Sequence, residues 1–251
     1  MLELRNLSRH FGGVKAVDTL DLTVRKGEIL GLIGPNGSGK STTVNLITGV
    51  YQPTAGTVSF KGQDISQRAP HQRCELGLAR TFQNIRLFGH LTVWQNLWAA
   101  RVVRETGWAG FKQRWLSGAA AAREEAEALL VFGDLAHKRD MLAGNLAFGE
   151  QRRLELIRAA ASGAELLLLD EPAAGMNAEE INDLDNRIRS LRDQGRTILL
   201  IEHHMELVME VCDRVAVLNF GRKIAEGTPA QVQADAQVRA AYLGAEEPAA
   251  A

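Results

Sequence analysis

The chain has 251 residues, 45% of them hydrophobic and 24% charged, a balance that suits one large soluble domain or two closely packed ones. Its 29 basic and 30 acidic residues leave a formal net charge of −1, so the overall electrostatic footprint of a nucleic-acid binder is missing. Cys74 and Cys212 stand in no CxxC or Cys/His spacing, which argues against a disulfide framework or a zinc site and for two reduced thiols in a reducing compartment.

In chain order, "LELRNL", "LDLTV" and "EILGLIG" read as strands, followed by a helix from Lys40 to Thr48 and a further strand, "GTVSFKG". From Leu91 to Ser162 the composition changes to Ala-, Arg- and Glu-rich helical stretches such as "AAAAREEAEALLVFG", with almost no β-branched run. The strands then resume as "AELLLLD", "RTILLIEH" and "RVAVLNFG", apolar runs suited to a sheet covered on both faces. Ile181, Leu184, Ile188 and Leu191 recur at helical spacing between two of them, with Gly195 as a left-handed stop. The pattern predicts a discontinuous α/β core at 1–90 and 163–251, with a helical subdomain inserted at 91–162. No run approaches the ~18 apolar residues of a membrane span. Charges interrupt "MLELRNLSRHF" where a signal peptide would be apolar, so a cytoplasmic location is expected. The closing "GAEEPAAA" reads as a frayed end without function.

"GPNGSGKS", Gly34 to Ser41, matches GxxxxGK[ST] between a strand and a helix. Gly34, Gly37 and Gly39 permit the tight turn that aims backbone N–H groups at phosphate oxygens, with Pro35, Asn36, Ser38 and Thr42 completing the cradle. Lys40 is suited to the β- and γ-phosphates and Ser41 to Mg²⁺. "LLLLDEP" ends a buried strand with Asp170, suited to the magnesium water shell, and then Glu171, suited to orienting or deprotonating the attacking water. Together these imply hydrolysis of a nucleoside triphosphate with Mg²⁺. A second anion mouth lies in "NLAFGEQRRLE", where Gly149 leads into a run of good helix formers.

These motifs resemble the ATPase subunits of ABC transporters, and the resemblance covers essentially the whole chain. "LAFGEQ" stands at that family's signature, usually LSGGQ, with Leu146, Ala147, Phe148, Gly149 and Glu150 in its successive positions. The resemblance implies a P-loop NTPase (RecA-like) core with an antiparallel β portion. It also implies a head-to-tail dimer with a second ABC ATPase, identical or different, in which one subunit's signature completes the other's ATP site. It gives Phe11 the role of stacking on adenine, and Gln83 contact with magnesium and the attacking water. It makes "AAGMN", Ala173 to Asn177, the loop that crosses to the partner's cradle, and His203 the histidine that meets the γ-phosphate. Asn177 stands where aspartate is more usual, as does His204, which receives no role.

"RTFQNIRLF", "LDEPAAGMN", "LLIEHHM" and "VRAAYLG" look most like the ATPases of branched-chain amino acid importers. That implies integral membrane permease subunits, indirectly an extracytoplasmic substrate-binding protein, and a peripheral place on the cytoplasmic face of the cell membrane. The apolar residues around Gln83, including Leu87 and Phe88, are expected to dock a permease helix. DNA-repair relatives insert a long coiled coil before the signature, whereas no sustained heptads lie between Ser41 and Leu146. Translation relatives usually carry two cassettes in one chain, and this one has a single GxxxxGK[ST].

Overall fold

The computed structural model describes residues 1–101 and 119–243. The strands are β1 (Leu2–Phe11), β2 (Val14–Val24), β3 (Ile29–Ile33), β4 (Ala55–Phe60), β5 (Gln63–Asp64), β6 (Leu78–Arg80), β7 (Leu166–Asp170), β8 (Thr197–Ile201), β9 (Arg214–Asn219) and β10 (Arg222–Gly227). The helices are α1 (Lys40–Thr48), α2 (Pro70–Leu76), α3 (Val93–Arg101), α4 (Ala119–Phe132), α5 (Phe148–Ala161), α6 (Ala178–Asp193), α7 (Met205–Val211), α8 (Pro229–Ala234) and α9 (Ala236–Leu243).

Two sheets form. One is antiparallel, in the order β2-β1-β4-β5, and the other has the order β10-β9-β3-β8-β7-β6. All neighbours in the second are parallel except the β10 edge. Its central strands ILGLI, LLLLD and TILLI are buried throughout because both faces are covered. Leu30, Leu32, Leu166, Leu168, Leu199 and Ile201 pack with Leu2, Leu4, Leu7 and Phe60 of the antiparallel sheet. Ile29, Ile33, Leu167, Leu169, Ile198 and Leu200 pack with Leu184, Ile188 and Leu191 of α6. Continuous apolar runs are what two-faced burial requires of a strand. As read from the sequence, Gly195 lies just beyond α6 with φ 88°, left-handed backbone that ends the helix.

Helices α3, α4 and α5 enclose a smaller cluster that includes Val93, Leu97, Leu130, Leu146, Leu154 and Ile157. Helix α5 serves two cores at once, since Leu156, Ala159 and Ala160 face the sheet while Leu154 and Ile157 face α3 and α4. Leu129 and Phe132 of α4 also pack against both clusters, so α4 and α5 together join the two regions. The antiparallel strands run longer than their apolar cores suggested because a Gly12–Gly13 turn, with Gly12 at φ 56°, joins β1 to β2 directly. β6 and β10, and helices α2, α7, α8 and α9, are short and lack a strong periodic signal, and the sequence pattern did not mark them. Both cysteines are free thiols, and among the described residues no helix is long and apolar enough to cross a membrane. The tail "GAEEPAAA" lies outside the described residues.

Candidate functional site

The loop between β3 and α1 is shaped by its glycines. Gly34 has φ 151°, and a Cβ there would sit 2.1 Å from the Leu218 carbonyl oxygen. Gly39 caps α1 at φ 105°, where a Cβ would meet the Ala16 carbonyl oxygen at 2.5 Å. Only glycine fits both the conformation and the space. The loop, from Asn36 to Thr42, lines a 300 Å³ cleft with Val14, Lys15, Ala16, Glu171 and Phe220. Ser38 is 2% exposed and its hydroxyl has no partner among the described residues. A buried polar group in that condition is costly unless a ligand satisfies it.

Lys40 folds over the loop and donates to the carbonyls of Gly34 at 2.6 Å and Pro35 at 3.0 Å. Burial pushes its pKa down, while the carboxylates of Glu171 and Asp170 push it back up. Ser41 and Thr42 stand at the start of α1 on the cleft wall, where the first N–H groups of the helix attract an anion.

Asp170 ends β7 and is 5% exposed. Its Oδ2 accepts from Arg80 at 2.6 Å, and Arg80 is in turn fixed by Asn45 at 2.7 Å. Oδ1 has no protein partner among the described residues. Glu171 follows with φ 48°, a left-handed conformation that costs a non-glycine residue ~1–3 kcal/mol and clusters at functional sites. Its N–H donates to the Ile201 carbonyl at 2.9 Å, which turns the side chain away from the strand and into the cleft. Gln83 Nε2 donates to Glu171 Oε2 at 2.8 Å, and His203 Nδ1 stands 3.8 Å from the same oxygen. Lys40, Asp170, Glu171, Gln83 and His203 thus converge.

Four charged residues that sequence reasoning passed over hold this group together. Besides Arg80, Arg152 donates to the carbonyls of Phe82 at 3.1 Å and Gln83 at 2.7 Å. Glu155 accepts from the N–H groups of Phe82 and Arg86, and burial raises its pKa. Glu202, wholly buried, joins the loop after Glu171 to the His203 turn. The available signal was weak: charged residues inside or directly beside apolar runs, which rarely stay buried without a partner.

Phe11 is 40% exposed, with Tyr51 edge-on at 5.3 Å and Arg9 4.6 Å above its ring. It does not line the 300 Å³ cleft, whose wall begins at Val14. One ring face is covered by Arg9, so a purine stacked on Phe11 would use the other.

Ala147 is the N-cap of α5 and offers no side-chain cap. Glu150, expected to contact phosphate, instead turns its carboxylate back on the Ala147 N–H at 3.0 Å and pairs with Lys138. Burial alone would raise its pKa, but Lys138 and the Ala147 N–H outweigh that and hold it low. What this corner offers an anion is backbone N–H, since a carboxylate can only accept. Phe148 is 47% exposed and lies beside Gly175. A Cβ on Gly149 would meet Glu180 Oε1 at 2.4 Å, so the signature corner abuts the start of α6. Asn177 caps α6, accepting from the Glu180 N–H at 3.0 Å, a task asparagine performs as well as aspartate.

A 500 Å³ groove between α3, α5 and the sheet edge is lined by Leu78, Phe82, Phe88, Ala99, Ala100 and Ala159, among others. Phe88 is 55% exposed at its rim.

Comparison with known proteins agrees with this geometry. A family described as ABC transporter matches residues 17–174, and one described as branched-chain amino acid ATP-binding cassette transporter matches 222–248. The chain is 41% identical to the high-affinity branched-chain amino acid transport ATP-binding protein LivG of Escherichia coli strain K12, over 97% of this chain and 98% of that protein. It is 40% identical, over the same shares, to BraF of Pseudomonas aeruginosa, which carries the same description. It is 36% identical to the lipopolysaccharide export system ATP-binding protein LptB of Haemophilus influenzae, over 97% of each chain. Among solved structures, the ADP conformation of an ATP-binding cassette of an ABC transporter superposes with TM-score 0.85 at 33% identity, covering 97% of this chain and 98% of that one. The loop, the convergent carboxylates and this similarity have one reading: the chain belongs to the ABC transporter family, as a nucleotide-binding, ATP-hydrolysing subunit.

Proposed function

We propose that this subunit powers an importer of branched-chain or other hydrophobic amino acids from the cytoplasmic face of the membrane. It pairs head-to-tail with a second ABC ATPase, and its permease subunits receive substrate from an external binding protein. The names of the relatives at 41% and 40% identity support this substrate class, as does the match at 222–248.

The observation that carries the catalytic reading is the convergence of Gln83, Glu171 and His203 at the mouth of the Gly34–Ser41 cradle. Backbone N–H groups of the loop and the Lys40 ammonium bind the phosphates of ATP, and the orphaned Ser38 hydroxyl suits a phosphate oxygen. Glu171 orients or deprotonates the attacking water, held by Gln83 on one side. His203 contacts the γ-phosphate. Phe11 stacks on adenine, and the signature corner at Ala147–Glu150 completes the partner's site through the N–H groups of Phe148 and Gly149, since the Ala147 N–H is held by Glu150.

The donor set fits Mg²⁺: the Ser41 hydroxyl, the Gln83 amide oxygen and Asp170 through water are hard oxygen ligands. No cluster of three metal-binding side chains occurs among the described residues, and Mg²⁺ held largely by phosphate oxygens and water needs none. When bound it would neutralise charge developing on the phosphates.

Residues 91–162, of which 102–118 lie outside the described residues, act as a helical subdomain on a core of 1–90 and 163–251, of which 244–251 lie outside them too, and the 500 Å³ groove lined by α3, α5 and the sheet edge receives a permease helix. The similarity to LptB supports a second reading, the ATPase of a lipid exporter. Copurification with membrane partners and their identification separate the two. For the catalytic assignment, Glu171→Gln is expected to bind ATP normally and trap the ATP-bound dimer while turnover falls ~100-fold or more. Near-normal turnover in that variant removes Glu171 from the reaction.

A further inference from the structure

Glu202 follows β8 and is 0% exposed. Its Oε1 accepts the Ala173 N–H at 2.8 Å, while its Oε2 accepts the N–H groups of His203 at 3.0 Å and His204 at 3.3 Å. Its only ion-pair neighbour among the described residues is the His203 imidazole, whose Nδ1 lies 3.9 Å from Oε2. A buried carboxylate is expensive to keep and survives where several donors converge on it. Here each oxygen serves a different loop. One prong holds the segment after Glu171, and the other holds the turn that carries His203.

We propose that Glu202 is a positioning residue that couples the two ATP sites of the dimer, by holding the Ala173–Asn177 loop in register with His203. This rests on the reading above, in which His203 meets the γ-phosphate of its own site and Ala173–Asn177 enters the partner's. The backbone of the His203 turn is tied through its N–H to the carboxylate whose other oxygen holds Ala173, so a shift of that turn toward a phosphate is passed to the Ala173 segment. The movement is passed to a loop whose far end is fixed as the Asn177 cap of α6, so the loop shifts as a unit. Coupling is reciprocal in binding free energy, so occupancy of the partner's site also biases His203. A single-prong acceptor at this position would fix one loop and leave the other independent.

The test uses the assembled transporter with the substitution in this chain. Glu202→Gln keeps one acceptor oxygen and points an amide at opposing N–H groups, which releases one loop. Glu202→Asp keeps the buried charge, and with it the fold, but is one methylene too short to reach both loops. In both variants ATP affinity of the separate subunit is expected to stay within about twofold while kcat falls about tenfold or more. The Hill coefficient for ATP is expected to drop from above one to one. A purely structural role would move melting temperature and leave the Hill coefficient alone. A wild-type Hill coefficient of one overturns the proposal, as does an unchanged coefficient in the Asp variant or a loss of affinity that parallels the loss of kcat. Glu171→Gln in the same preparation separates the two levels: its retained turnover would sink the site assignment itself, whereas its silence beside fully cooperative Glu202 variants sinks only the coupling.

Discussion

The cradle at Gly34–Ser41 and the corner at Leu146–Glu150 are both helix N-termini that present N–H groups to an anion, yet they are built in opposite ways. The cradle is made of backbone that is tightly packed at both ends: Gly34 and Gly39 press against the carbonyls of Leu218 and Ala16, and the loop adjoins the fully buried β3. The signature corner is open. Ala147 and Phe148 are exposed, and its own Glu150 already occupies the Ala147 N–H. Its helix is steadied by side chains that reach distant backbone. A site that must work within one chain is rigid and complete. The open corner, proposed above to meet a partner's phosphate, keeps Phe148 exposed and leaves its register to long-range contacts.

The contrast breaks most visibly at glycine. Gly34→Ala would drive a Cβ to 2.1 Å from a backbone carbonyl, and destabilisation of ~4 kcal/mol or more is expected, with loss of nucleotide binding. Gly149→Ala meets only the tip of the Glu180 side chain, which can move, so the fold should lose less than ~1 kcal/mol and ATP binding by the single chain should be retained. Thermal melts with and without nucleotide measure both, and equal losses would show that the two mouths are equally rigid.

The next effect concerns the side chains that steady the open corner. Arg152 and Glu155 are both buried, and Arg152→Met strands Glu155 together with the carbonyls of Phe82 and Gln83 that Arg152 now serves. Removing one member of a buried charge pair costs ~3–5 kcal/mol, and a value near the lower end is expected here because the direct contact is 3.5 Å. Adding Glu155→Gln should recover part of that loss, since the remaining buried charge disappears. Denaturant melts of the single and double variants give the coupling; strictly additive losses would dissolve the clamp.

A smaller effect on the fold, with a large one on assembly, is expected at the groove. Phe88 is 55% exposed and Leu87 packs against the helical cluster, so Phe88→Glu is the cleaner probe. It should change stability by less than ~0.5 kcal/mol and leave the subunit's basal ATPase intact while abolishing assembly with the permease. Normal assembly would move the docking surface elsewhere.

How much of this was legible follows the same division. Strands β3, β7 and β8, the extent of α1 and the converging Lys40, Asp170 and Glu171 were readable, because cradle chemistry needs fixed residue types at fixed local spacing and two-faced burial writes itself as an apolar run. Arg80, Arg152, Glu155 and Glu202 were not. For Arg80, Arg152 and Glu155 the partners that matter lie 35 to 90 positions away, for Glu202 one of its two loops is 29 positions away, and the bonds run mostly to backbone, which leaves no mark on residue type. The positive φ of Glu171 was hidden for a related reason: a sequence records which side chain is there, and not the strain imposed by Ile201 and the loop beyond it.

The smallest effect is the most discriminating, and it falls on Ala147. As the N-cap of α5 with no side-chain acceptor, it leaves the first turn capped from one direction only, by Glu150. Ala147→Ser supplies a hydroxyl that can accept from the α5 N–H groups, a cap worth ~1 kcal/mol, and a rise in melting temperature of about 2–4 °C is expected for a chain of this size. The same hydroxyl keeps its proton for a partner's γ-phosphate, where a bond to a charged group contributes ~1.5–3 kcal/mol. Higher melting temperature together with tighter ATP-dependent dimerisation would mean that the corner lacks a donor in the wild-type chain, so that in a heterodimer the site it completes is the weaker of two. A higher melting temperature with unchanged dimerisation would mean that the hydroxyl is spent on the helix and that backbone N–H groups already satisfy the phosphate. That second outcome would narrow the contrast with the cradle, since backbone N–H groups would then serve the phosphate at both mouths.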